Sequence, residues 1–139
     1  MKFPKKYIKY GNFKLHSGDD SNIFYDVNAL LTDKKYRDFI LDSIPFSNIY
    51  VGIATGGAII AALTVCYWYS QFGIIKDGEL KGKIRKHGKY ILIDDVITTG
   101  QSINEAIKII GWKPTHIIAV VDRRINKSQF EVYSIFEEI

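Results

Sequence analysis

The residues best suited to chemistry lie together in the segment YILIDDVITTGQS, residues 90–102. An apolar run delivers two adjacent carboxylates, Asp94 and Asp95, and a turn with two hydroxyls and a glycine follows at Thr98, Thr99 and Gly100. Gln101 and Ser102 then lead into a helical pattern. Free N–H groups and the positive end of a helix dipole favour an anion at such a start. Thr98, Thr99, Gly100, Gln101 and Ser102 can therefore wrap a phosphate with backbone N–H groups and hydroxyls. Asp94 and Asp95 repel a bare phosphate, so they are expected to face sugar hydroxyls or a metal ion. A phosphate and a diol a few ångströms apart describe a phosphorylated ribose. The plain alternative, a strand-turn-helix junction with a polar turn, leaves the paired acids unexplained.

The elements that must position this segment alternate between strand and helix. Residues 12–15 and 23–27 are expected to pair as strands around the turn-forming cluster 17–22. Thr32 is placed as a helix cap with Asp33 in the first turn; Tyr36, Phe39, Ile40 and Ile44 recur at helical spacing, and Pro45 ends that helix. Residues 49–54 read as a strand ending in Thr55-Gly56-Gly57, and 58–70 as a helix apolar all round, expected to be buried on more than one side. A short strand at 72–75 precedes a basic, glycine-containing loop or hairpin at 76–88. Residues 90–93 read as a central parallel strand buried on both faces. The helix at 102–110 carries an S-x-x-E capping pattern (Ser102, Glu105) and Gly111 at its C-terminal cap position. A buried strand at 117–121 and an edge strand within 130–136 complete the pattern. The expected fold is α/β, a mostly parallel sheet flanked by helices with a small N-terminal hairpin, forming one domain over residues 1–139. Ligands of such sheets bind beyond the carboxyl ends of the strands, where Thr55-Gly56-Gly57, 94–102 and Asp122-Arg123-Arg124 all fall.

Bulk properties narrow the field. The chain has 139 residues, room for one core, and its 24% charged content argues against disorder. The net charge of +4 is spread, with local clusters at 2–9 and 81–89 that lack the interleaved aromatics of a single-strand groove, so nucleic acid is not expected as a partner. The lone cysteine, Cys66, allows no intrachain disulfide; it suits a reducing cytoplasm and reads as a buried inert thiol. The three histidines are too scattered for a zinc site. No stretch has signal-peptide form, and the apolar run 58–69 is too short to span a bilayer, so no membrane association is expected.

The segment 90–102 resembles the 5-phosphoribosyl-1-pyrophosphate (PRPP) motif of type I phosphoribosyltransferases: four apolar residues, two acids, then T-T-G and a helix. It is not a Walker loop, because G-x-x-x-x-G-K does not occur. The resemblance covers most of the chain and narrows to orotate phosphoribosyltransferases in a compact form. The opening G-N-F-K-L-H-S-G-D-D-S-N-I-F-Y-D is similar to that family's first motif, V-G-I-A-T-G-G-A-I-I-A (51–61) to its pyrophosphate loop, and A-V-V-D-R-R (119–124) to its V-x-D-R stretch.

The resemblance implies transfer of a phosphoribosyl group from PRPP to orotate, giving orotidine 5′-monophosphate and pyrophosphate through an oxocarbenium-like transition state. In that scheme Asp94, Asp95 and Lys76 are catalytic. Thr98, Thr99, Gly100, Gln101 and Ser102, with Thr55, Gly56 and Gly57, bind PRPP. Phe24, Tyr25, Arg123 and Thr98 bind orotate. Magnesium is implied as the cofactor, held mainly through PRPP with Asp94 and Asp95 as candidate protein ligands. A cytoplasmic homodimer is implied, with Tyr67, Trp68 and Tyr69 as candidate interface residues. Arg124 is read as a solvated surface charge.

The sequence departs from the family in three places. His16 stands where many members have a lysine, Ile75 where an arginine is expected, and the segment 76–88 is shorter than the family's mobile loop. The cations Lys81, Lys83, Arg85, Lys86 and His87 are expected to assist Lys76 with the leaving pyrophosphate. Two alternatives stay open: a phosphoribosyltransferase for another nucleobase, and a non-catalytic PRPP-binding regulatory domain.

Overall fold

The computed structural model describes residues 1–15 and 18–139; His16 lies outside the described residues. Among these the strands form a two-stranded hairpin and a six-stranded sheet. The hairpin pairs β1 (Ile8–Lys14) antiparallel with β2 (Asp20–Tyr25). Two short helices follow, α1 (Val27–Thr32) and α2 (Lys34–Asp42). The expected cap shifts by one residue: Thr32 ends α1, and Asp33 caps α2 by accepting from Lys35 N–H. Aspartate is the better acceptor at a position its neighbour's helix has already claimed.

The chain then enters the sheet through β3 (Ile49–Ile53), crosses by α3 (Gly56–Trp68), and returns as β4 (Gln71–Lys76), parallel to β3. Next, β5 (Glu79–Lys81) folds back antiparallel on β4 through the tight turn Asp77-Gly78, where both residues have positive φ (52° and 73°). Asp-Gly favours such a turn. The central strand β6 (Tyr90–Ile97), helix α4 (Gln101–Ile110), β7 (His116–Asp122) and the edge strand β8 (Tyr133–Phe136) complete the order β5-β4-β3-β6-β7-β8. Every pairing in this sheet is parallel except β4 with β5.

Side chains alternate across the pleat, so the three central strands feed two cores. Tyr50, Ile91, Ile93, Ile118 and Val120 pack with Leu30, Ile40 and Ile60 from α1, α2 and α3. Ile49, Val51, Tyr90, Leu92, Ile117 and Ala119 pack with Ile103, Ala106 and Ile110 of α4. Gly111 takes the left-handed cap (φ 98°) that ends α4.

Two apolar expectations fail. Helix α3 buries only one side, through Gly56, Gly57, Ile60, Ala61 and Thr64, while Ile59, Tyr67 and Trp68 are exposed. Cys66 is exposed as well, on the outer side of that helix. A uniformly apolar helix carries no periodic signal to say which face the sheet covers. No helix among the described residues is long and apolar enough to cross a membrane.

Candidate active site

The carboxyl ends of β3, β4 and β6 open on a cavity of about 380 Å³. Its walls bring together Thr55, Lys76, Asp94, Asp95, Thr98, Thr99, Gly100, Gln101 and Ser102. These residues are far apart in sequence, and parallel pairing delivers them to one rim. Asp77, Gly78 and Glu105 also line it; the Asp-Gly turn signal was visible in the sequence but carried no hint of a site.

The two acids are not equivalent. Asp94 is buried, while Asp95 is half-exposed to the cavity. The Asp95 N–H donates to Asp94 Oδ1 at 2.8 Å, and the Val96 N–H donates to Asp95 Oδ1 at 2.7 Å. Burial first, and the Asp95 charge second, push the Asp94 carboxyl well above the usual carboxylate range. Asp95 is thus the acid placed to meet a ligand directly.

Gly56 and Gly57 are explained by close approach. A Cβ at Gly56 would fall 2.7 Å from Asp95 Oδ2, and one at Gly57 would fall 3.0 Å from Asp94 Cα and closer still to Ile93 O. Only glycine lets the start of α3 pack against the acidic end of β6. Thr55 is the exposed N-cap residue of α3, joined to Ala54 by a cis peptide bond.

The turn after β6 ends in Gly100 at φ 89°, the N-cap position of α4. The expected capping box does not form. The helix begins at Gln101 rather than Ser102; Gln101 Nε2 donates to Glu105 Oε1 at 2.9 Å, and the Gln101 N–H is bonded to Thr99 Oγ1 at 3.3 Å. Gly100 offers no side chain to cap α4, and the start of that helix, Gln101 to Ile103, lines the cavity.

The second group of expected residues sits apart from this cavity. Arg123 follows β7, and its N–H donates to Ile97 O at 2.7 Å. Its guanidinium lies 5.1 Å from the Tyr25 ring centroid and donates at 3.4 Å to both Ile23 O and Ser21 Oγ, so the arginine clasps the hairpin. Tyr25 is buried edge-on against Phe3 at 5.0 Å, whereas Phe24 is exposed and stacked on Phe13 at 5.4 Å.

Two charge readings are corrected. Arg124 is not a solvated surface charge: it is buried in a bidentate ion pair with Asp122, Nε to Oδ1 and Nη2 to Oδ2 both at 2.9 Å. The cations after β5 do not flank Lys76. The hairpin turns the chain back, so 83–87 lies at the amino-terminal end of the sheet: the Arg85 N–H donates to the side chain of Gln71, the first residue of β4, and Gly88 packs on Ile49. The sequence alone shows neither: the first depends on Asp122 at the end of β7 meeting Arg124, the second on how the β4–β5 hairpin folds back. Among the described residues Lys76 is the cation that lines the cavity.

A parallel strand that hands paired acids to an uncapped helix start, with the Gly-Gly start of α3 packed against those acids, goes with a fold shared with the type I phosphoribosyltransferases. No family model matches the sequence. The chain is similar to the orotate phosphoribosyltransferase of Picrophilus torridus, 31% identical over 150 aligned residues, covering 94% of this chain and 90% of the relative. It is 30% identical over 145 residues to that of Saccharolobus solfataricus, covering 90% of this chain and 72% of the relative. The crystal structure of orotate phosphoribosyltransferase from Aeropyrum pernix superposes with a TM-score of 0.78 at 25% identity, covering 95% of this chain and 89% of that one. An adenine phosphoribosyltransferase from Thermoanaerobacter pseudethanolicus shares the fold, with a TM-score of 0.67 at 15% identity over 94% of this chain and 95% of that one. The chain belongs to the orotate phosphoribosyltransferase family.

Proposed function

We propose that the protein transfers the phosphoribosyl group of PRPP to orotate N1 and releases pyrophosphate. The observation that carries this reading is the convergence of Asp94, Asp95, Lys76 and the 98–102 turn on one cavity. Family membership supports orotate as the acceptor.

In this reading the N–H groups and hydroxyls of 98–102 grip the 5′-phosphate, and Asp95 accepts from the ribose hydroxyls. Buried Asp94 fixes the Asp95 backbone through the 2.8 Å bond. The C1–O bond to pyrophosphate breaks as N1–C1 forms; pyrophosphate departs with the bonding pair, and the N1 proton passes to solvent. Asp95 offsets positive charge on the sugar, and Lys76 meets negative charge on the leaving group. The half-exposed carboxylate of Asp95 would hold a magnesium ion whose other ligands come from the substrate. Bound there, magnesium supplies neutralisation of the pyrophosphate charge.

Arg123 and Phe24 take the orotate side: the arginine pairs with its carboxylate, and the exposed ring borders the flat base. Tyr25 supports Arg123 from beneath. The exposed aromatics Phe46, Tyr67, Trp68 and Tyr69 support a homodimer. Both substrates are anions that do not cross membranes unaided, which supports a cytoplasmic site of action.

The test is direct. With magnesium and PRPP, orotate absorbance falls and pyrophosphate appears; adenine, hypoxanthine and uracil give no turnover. Turnover with one of those bases instead would reassign the acceptor. PRPP binding without pyrophosphate release would favour the regulatory reading, which the tight Asp77-Gly78 turn in place of a long loop supports.

A further inference from the structure

Gly100, the left-handed residue on which the phosphate turn closes, is backed by a second layer. A Cβ there would lie 2.7 Å from Gln129 Oε1 and 3.0 Å from Phe130 Cζ. Phe130 is itself pinned by Arg124, whose guanidinium carbon sits 4.3 Å from the ring centroid and whose Nη1 donates to Phe130 O at 3.1 Å. Arg124 in turn is locked by Asp122; the two side chains are only 2% and 4% exposed. Asp122 closes β7 in register with Ile97, the residue just before the turn. A continuous set of contacts therefore runs from a buried ion pair, through Phe130, to Gly100.

Stability alone does not explain this pair, because a buried ion pair is often no better than packed apolar side chains of similar volume. What it does provide is fixed direction. The planar fork of arginine, held at three points, sets the ring of Phe130 in one place. We propose that Arg124 and Phe130 are positioning residues for the phosphate turn: they hold Gly100, and with it the N–H groups of the α4 start, in the arrangement that grips the 5′-phosphate. This deepens the functional reading above and rests on it. Neither residue touches substrate.

The test is steady-state kinetics on the full chain with PRPP, orotate and magnesium, alongside thermal unfolding. Phe130→Ala leaves the ion pair intact but removes the backing of Gly100. It is expected to raise the KM for PRPP by about tenfold while the KM for orotate stays within about twofold, since a small misplacement of a binding group is costly. Phe130→Met, which refills the space, recovers most of the loss. Arg124→Lys, which keeps the charge but loses the fork, shows the same selective rise. A merely structural role gives a different pattern: a lower melting temperature and a lower kcat, with both KM values unchanged. That pattern in Phe130→Ala, or in Arg124→Lys should the alanine variant not fold, overturns the proposal. A wild-type chain that neither binds nor turns over PRPP overturns the functional reading, and this proposal with it.

Discussion

The Asp95 N–H donates to Asp94 Oδ1 at 2.8 Å, tying two neighbouring carboxylates into unlike roles. Asp94 is buried at the foot of the site, and Asp95 is half-exposed at its floor. One strand end therefore holds a buried acid and a cavity-facing acid, and the two should respond differently to the same substitution.

Asp95→Asn keeps the shape and the bond from Val96 but removes the charge. Turnover is expected to fall by about 10²–10³-fold, the scale of losing one electrostatic contact to a transition state. Stability should change by no more than about 0.5 kcal/mol. Pyrophosphate release and chemical denaturation check the two halves; unchanged turnover would remove this carboxylate from the mechanism.

Asp94→Asn should show itself in the pH dependence of stability. The folded-state pKa of Asp94 is raised above the ordinary 3.8 by burial and then by Asp95. Between that ordinary value and the raised one, the native state holds a proton that the unfolded state has released. Its contribution to stability is complete below the ordinary value and is lost as pH rises through the raised one. The asparagine variant has no such loss, so its melting temperature should gain on wild type as pH is raised from acid towards neutral. A constant difference across that range would contradict the raised pKa of Asp94.

Gly56→Ala places a methyl group 2.7 Å from Asp95 Oδ2. Either α3 or the acid must shift. The expected cost is about 1–3 kcal/mol from overpacking, with a fall in turnover because the displaced group is Asp95. Denaturation and kinetics on the same preparation separate the two effects.

Tyr69 ends α3 at φ 52° with 96% of its surface exposed. A tyrosine in the left-handed region is strained where glycine is not. Tyr69→Gly should stabilise the isolated chain by about 1 kcal/mol, read by urea unfolding. If the same aromatic surface joins two subunits, dimer formation measured by sedimentation should weaken in parallel.

Much of this site was legible because its signal is local. The run 90–93, the paired acids and T-T-G sit in consecutive positions, and Gly111 marks the end of α4 by its own conformational freedom. What escaped depends on the third dimension. Arg124 reads as a surface charge until β7 carries Asp122 beneath it. The cations at 83–87 read as neighbours of Lys76 until the turn at Asp77-Gly78 sends them to the far end of the sheet. The Ser102–Glu105 capping pattern was outcompeted by Gln101, one residue earlier, whose amide reaches the same glutamate. Cys66 lies in a helix whose uniform apolarity hides which side faces out.

The measurement that bears most directly on the whole account is a crystal structure of the protein with PRPP and magnesium. Its 5′-phosphate is expected within hydrogen-bonding distance of the backbone N–H groups between Thr98 and Ser102, with the ribose hydroxyls against Asp95. A ligand bound elsewhere on the sheet, with those N–H groups still facing solvent, would contradict it.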